Sequence, residues 1–146
     1  MPLWHIYHPE GVYTADDKQA LADDISELYV RVGALPKFYV SVIFHELPSE
    51  SFYIGGRAAG NFVRIWIDQI ARRLADDFKE QWMEQLSETL APFVRDRGLD
   101  WEIHIDETPR ELWTVNGLTP PPTESDEERR WAEENRPSPP AGSVPG

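Results

Sequence analysis

Apolar positions along the chain change period several times, and the changes mark out two successive strand–helix–strand units. Leu3 to His8 reads as a short strand ended by Pro9 and Gly11. Thr14 has the character of a helix N-cap, with Asp17 three residues on as an imperfect capping box. Leu21, Ile25, Leu28 and Val32 follow at spacings of four, three and four, which is one face of a helix. Gly33 stands where a left-handed C-terminal cap belongs, and Pro36 stops any continuation. Lys37–Glu46, rich in β-branched and aromatic residues, predicts the second strand. Phe38, Val40, Val42 and Phe44 share one face, and Tyr39 and Ile43 make the other face apolar too. A strand apolar on both faces is normally covered on both.

Residues 48–61 are turn-rich, with Gly55-Gly56 and Gly60 marking a tight loop or small hairpin. The pattern then begins again. Phe62–Gln69 predicts a strand, and a helix from about Asp76 carries Phe78, Trp82, Leu86, Leu90 and Phe93 on one face. Pro92 should kink or shorten its last turns. Gly98 ends that segment, and Trp101, Ile103 and Ile105 alternate as a fourth strand. Units 3–46 and 62–106 therefore predict one α/β domain over residues 2–117, each helix supplying the crossover that a parallel strand pair needs. Four strands with two helices on one face leave the other face bare. The apolar Tyr39 and Ile43 would need a cover there, which self-association supplies most simply.

After Gly117 the composition shifts. Residues 118–146 form a tail holding Pro120-Pro121-Pro122, an acidic helical stretch Glu124–Glu134 around Trp131, and a Pro/Gly/Ser end. Such a tail cannot build its own core. Trp131 is expected to dock on the domain or on a neighbour, and the last ten residues or so to be disordered.

Charge narrows the partners. The 146 residues carry 26 acidic against 14 basic side chains, a formal charge of −12, with no run of Lys or Arg to defeat it. Nucleic acid and anionic membrane surfaces are therefore not expected as partners. Zero cysteines exclude disulfides, thiolate nucleophiles and Cys-ligated metals. No stretch approaches a membrane span, and MPLWHIYHPEG lacks the basic and apolar regions of a signal peptide, so the cytoplasm is the expected location.

The best candidate for chemistry is Pro2. A small second residue makes removal of Met1 the expected outcome, leaving a secondary amine at the start of a strand. A terminal amine has an ordinary pKa near 8, and burial beside cations lowers it. A neutral, pre-oriented amine is a competent general base. Other constellations carry less. His5 and His8 lie three apart on a strand and face opposite ways, so they cannot share a metal. His45 stands alone, and Gly55-Gly56 lacks the Lys-Ser/Thr of a phosphate loop. No metal site is expected. Glu107, just after the last strand, is the nearest acidic group for handling water.

An N-terminal proline opening a βαβ unit, a helix capped near Thr14, the strand KFYVSVIFHE and a Gly-Gly loop together resemble the tautomerase superfamily. The double length, IDQIARRLADDFK and WEIHIDETPRELWTVNG resemble the group of cis-3-chloroacrylic acid dehalogenase, over about residues 2–121. The resemblance implies a homotrimer, no cofactor, and a site around Pro2 in which arginines bind a substrate carboxylate. It assigns Arg72 and Arg73 to that task, with Arg64 as a further cation. It sets Tyr29 at the family's histidine, His104 at its last-strand tyrosine, and Asn116 beside Val115, where the family has a water-activating glutamate. Valine cannot deprotonate water, so hydration and dehalogenation are disfavoured.

The expected activity is cofactor-free tautomerisation of small enol or 2-oxo carboxylates, with Pro2 moving the proton and Tyr29 or His104 donating to the far oxygen. The alternatives are a hydratase, dehalogenase or decarboxylase of three-carbon acids, and a non-catalytic trimeric interaction protein.

Overall fold

The computed structural model describes residues 1–143. Strands β1 (Pro2–Pro9), β2 (Ser41–Leu47), β5 (Phe62–Ile70) and β6 (Asp100–Thr108) form a four-stranded sheet in the order β2-β1-β5-β6. Within each unit the strands run parallel, β2 beside β1 and β6 beside β5. The two units meet antiparallel at β1 and β5, with Pro2 opposite Gln69 and Ile6 opposite Ile65. Helices α1 (Ala15–Gly33) and α2 (Lys79–Leu90) cover one face. Trp4, Ile6, Val63, Ile65 and Ile67 are fully buried there with Leu21, Ile25, Leu28, Leu86 and Leu90. A short hairpin, β3 (Tyr53–Ile54) and β4 (Arg57–Ala58), turns at Gly55-Gly56, both at positive φ.

The capping box at α1 is complete. Thr14 Oγ1 accepts from the Asp17 amide at 3.1 Å, and Asp17 Oδ2 accepts from the Thr14 amide at 3.0 Å. The helix runs one residue past expectation, through Gly33, and its left-handed cap is Ala34 at φ 49°. Glycine at 33 serves proximity instead: a Cβ there would stand 3.4 Å from Arg72 Nη1. Helix α2 begins at Lys79, three residues later than expected from Asp76, whose carboxylate accepts from Lys79 Nζ at 2.7 Å. Pro92 ends it as expected: α2 stops at Leu90 and a 3₁₀ turn over Ala91–Phe93 follows.

The second strand is shorter than Lys37–Glu46. Lys37–Tyr39 makes a 3₁₀ turn after Pro36, and pairing starts at Ser41. The turn takes Tyr39 out of the strand's two-residue period. Tyr39 therefore does not lie on the bare face but is buried edge-on against Phe38 and Trp113, each with ring centroids 5.0 Å away. Ile43 remains on the open face, 42 % exposed.

Helix α3 (Asp126–Glu134) docks the tail. Its Trp131 is buried, 6.0 Å from the Phe38 ring, and Asn135 Oδ1 accepts from the Phe38 amide at 3.0 Å. Part of the end expected to be disordered is tied down. Ser138 O accepts from Trp131 Nε1 at 2.8 Å and Pro139 O from Arg130 at 2.7 Å. Residues 144–146, which belong to the same expectation, lie outside the described residues.

The open face of the sheet is aromatic. His5 stacks on Trp66 at 5.0 Å and on His45 at 5.2 Å, and Tyr7 stacks on His45 at 4.4 Å. His45 thus has neighbours from β1, and His5 and His8 do face opposite sides, His8 being buried with the core. Among the described residues no helix is long and apolar enough to cross a membrane.

Candidate active site

Alternation along β5 sends Val63, Ile65 and Ile67 into the core, and Gln69 follows on the same face at the strand's end. Ala71 then adopts a left-handed conformation, φ 77°, with its amide donating to Thr108 O at 2.9 Å. That turn sends Arg72 and Arg73 apart. Between them, the C-terminal end of α1 and the start of α2 lies a cavity of about 270 Å³. Tyr29, Gln69, Arg72, Arg73, Phe78 and Trp82 are among its walls.

Pro2 stands at the head of this region. It is buried and directly opposite Gln69, so both side chains share the helix-covered face. The Met1 amine before it donates to Ile70 O at 2.6 Å, and the Ile70 amide donates to Met1 O at 2.9 Å. Burial, then the charge of Arg72, lowers the pKa of that amine to about 5, against the opposing pull of Glu128 and Asp68.

The two arginines differ. Arg72 donates through Nη1 to Gly33 O and through Nη2 to Glu128 Oε1 at 2.8 Å. Glu128 is buried and also accepts from the Glu124 amide at 3.1 Å. Arg73 has a side chain 92 % exposed, and its nearest carboxylate is Glu107, 3.9 Å away. Glu107 in turn accepts from the Leu74 amide at 3.3 Å, so it braces the loop that carries Arg73.

Tyr29 is buried beneath the cavity, its oxygen 3.1 Å from Trp4 Nε1 and 3.2 Å from Gln69 Oε1. Burial pushes its phenol above the ordinary value. The structure therefore gathers Pro2, Tyr29, Arg72 and Arg73 at one end of the sheet. Arg64 and His104 lie on the opposite, open face, where they bond each other and Arg64 pairs with Glu102 at 3.1 Å. Within a single chain neither reaches the cavity. Asn116 occupies an exposed turn at φ 51°, bracketed by the Val115–Leu118 bridge, and is not among the residues lining the cavity.

Two residues escaped the sequence reading. Gln69 carried a signal: it is a polar residue at a core-facing position in the Val63, Ile65, Ile67 series. Glu128 lies three residues before Trp131, so the two share a face of α3. Nothing in the sequence pairs that face with Arg72.

The family described as "Putative oxalocrotonate tautomerase enzyme" matches residues 1–136. Native RhCC from Rhodococcus jostii RHA1 is 51 % identical, with 94 % of this chain and 99 % of that chain covered and a TM-score of 0.91. N1, a member of the cis-3-chloroacrylic acid dehalogenase family, is 22 % identical over 90 % of this chain and 96 % of that one, TM-score 0.73. A fused 4-OT described as an asymmetric trimer is 24 % identical over 80 % and 94 %, TM-score 0.65. These last two show the fold alone, a tandem repeat of the βαβ unit. No curated protein matches. With nearly its whole length matched and half its residues identical to a solved relative, the chain belongs to this tautomerase family.

Proposed function

We propose that the protein is a cofactor-free tautomerase of small enol or 2-oxo carboxylates, with Pro2, exposed by removal of Met1, as its general base. The observation that carries the reading is the setting of the amino-terminal strand end. Burial and Arg72 disfavour protonation of the Met1 amine at that end, and Pro2 sits opposite Gln69, a wall residue of a largely apolar cavity that Arg73, its side chain 92 % exposed, also lines. Arg73 would anchor the carboxylate as a planar fork. Arg72, already ion-paired with Glu128, would contribute field more than contact. One exposed arginine, held only loosely by Glu107 at 3.9 Å, and apolar walls favour a monocarboxylate.

In the enol-to-keto direction Pro2 takes the hydroxyl proton and the same nitrogen returns a proton to carbon 3. A homotrimer formed through the open sheet face would bring Arg64 and His104 against a neighbouring copy, the setting in which either could serve a site. Asn116 would need the same help.

The test is reaction of the mature protein with a carboxylate-bearing Michael acceptor, followed by mass spectrometry. The expected result is one adduct on Pro2, absent from Pro2→Ala, together with loss of enol ketonisation in that variant. A mature chain that retains Met1, or ketonisation that survives in Pro2→Ala, overturns the proposal. Hydration or dehalogenation of three-carbon acids would instead depend on Glu107, the carboxylate closest to Arg73, and a Glu107→Gln variant separates the two chemistries.

A further inference from the structure

Tyr29 has suitable chemistry for a proton donor in the cavity, yet its hydrogen bonds commit it elsewhere. An indole nitrogen only donates, so the Tyr29 oxygen, 3.1 Å from Trp4 Nε1, accepts that bond. Tyr29 is 2 % exposed, and its single hydroxyl hydrogen needs an acceptor. Among the described residues that acceptor is the Gln69 side chain at 3.2 Å. The orientation of the amide follows. With Nε2 turned toward Tyr29, the phenol would face two donors and its own hydrogen would be stranded. Oε1 therefore faces Tyr29.

Both hydrogens on Gln69 Nε2 are then left over, on a side chain 7 % exposed that lines the cavity and sits opposite Pro2. They have no acceptor among the described residues. The Nε1 of Trp82, another wall residue, is buried without an acceptor. A donor open to the cavity with no protein acceptor is available to an acceptor on a bound ligand.

We infer that Gln69, aligned by the Trp4–Tyr29 relay, donates a hydrogen bond from Nε2 to the C2 oxygen of the substrate. This inference rests on the tautomerase reading for the identity of that oxygen. In the keto-to-enol direction Pro2 nitrogen removes a proton from C3. The C3–H electron pair becomes the C2–C3 double bond, and the carbonyl pair moves onto the C2 oxygen. Gln69 stabilises the resulting oxyanion, which takes a proton from the prolinium or from water; the return path uses the same atoms. Tyr29 is a positioning residue in this scheme, and the directed donor belongs to its neighbour.

The experiment compares two ligands that differ only at C2, 4-methyl-2-oxopentanoate and 4-methylpentanoate, titrated into the full-length protein by calorimetry. Wild type is expected to bind the oxo acid roughly tenfold tighter, about what one net hydrogen bond supplies. Gln69→Leu should bind the two acids equally, with Gln69→Met as a second variant should the first fail to fold. Tyr29→Phe should keep part of the preference, since the amide hydrogens survive. No preference in wild type, a preference undiminished in the Gln69 variants, or one erased by Tyr29→Phe alone overturns the inference. Pro2→Ala should retain the preference. Failure of the proline chemistry therefore reads out separately, in the adduct experiment.

Discussion

Arg72 and Glu128 meet at 2.8 Å, joining the loop after β5 to the tail helix through an ion pair whose carboxylate side chain is only 7 % exposed. Removing one member of a buried pair leaves the other charge stranded. Arg72→Ala should therefore cost about 3 kcal/mol of folding stability, read by urea denaturation. Arg73→Ala, at a side chain 92 % exposed, should leave stability unchanged. Its effect should fall on carboxylate binding, weakened roughly 10- to 100-fold if a charged hydrogen bond is lost. Equal stability losses in the two variants would contradict this division of labour.

The acid limb of activity should reveal the environment of the strand end. The Met1 amine is lowered to about 5, chiefly by burial and then by Arg72, while Glu128 and Asp68 pull the other way. The Pro2 amine freed at the same end should also titrate below the ordinary value near 8. A base works unprotonated, so kcat/KM should fall only as pH drops through the lowered pKa of that amine, below about 8. Glu128→Gln removes a charge that favours the protonated amine and releases the charge of Arg72. Both effects move the limb to lower pH. A displacement to higher pH would refute the assignment.

Trp131 anchors the tail, so Trp131→Ala should lower stability by about 3–5 kcal/mol, the usual cost of emptying a large aromatic site. Because α3 carries Glu128 as well, the same variant should disturb the acid limb described above. A stable variant with an unaltered pH profile would show that the tail is dispensable to both.

Thr14→Ala removes the side-chain half of the capping box. The expected loss is about 1 kcal/mol, seen as a small fall in melting temperature, with ligand binding untouched because Thr14 lies at the far end of α1 from Tyr29.

Local rules carried the sequence reading well where a residue's surroundings are its own neighbours in the chain. The Thr14 cap, the Pro92 stop, the Gly55-Gly56 hairpin and the repeated unit all follow from propensity and period. Tyr39 failed because a 3₁₀ turn shifts the phase of side-chain direction without changing composition. Gly33 failed because its lack of a side chain serves Arg72, 39 residues away. At the candidate site, four of the residues that the resemblance assigned, Pro2, Tyr29, Arg72 and Arg73, lie at one end of the sheet. It gave no means of distinguishing Arg72, paired with a buried carboxylate, from the exposed Arg73. His104 and Arg64 expose a different limit: strand alternation puts them on the open face, and a chain read alone does not say which residues of another copy that face would meet.

That open face also equips the protein with a built-in optical gauge. Trp66 stands among stacked rings, 5.0 Å from His5 and 5.9 Å from His104, with its indole donating to Asp106 at 3.0 Å. It is one of six tryptophans, and it lies on the side of the sheet that neither helix covers. Pressing another subunit against that side would dry its surroundings and shift its emission toward the blue. The difference spectrum between the native protein and Trp66→Phe, followed through dilution, would therefore report assembly without any attached dye.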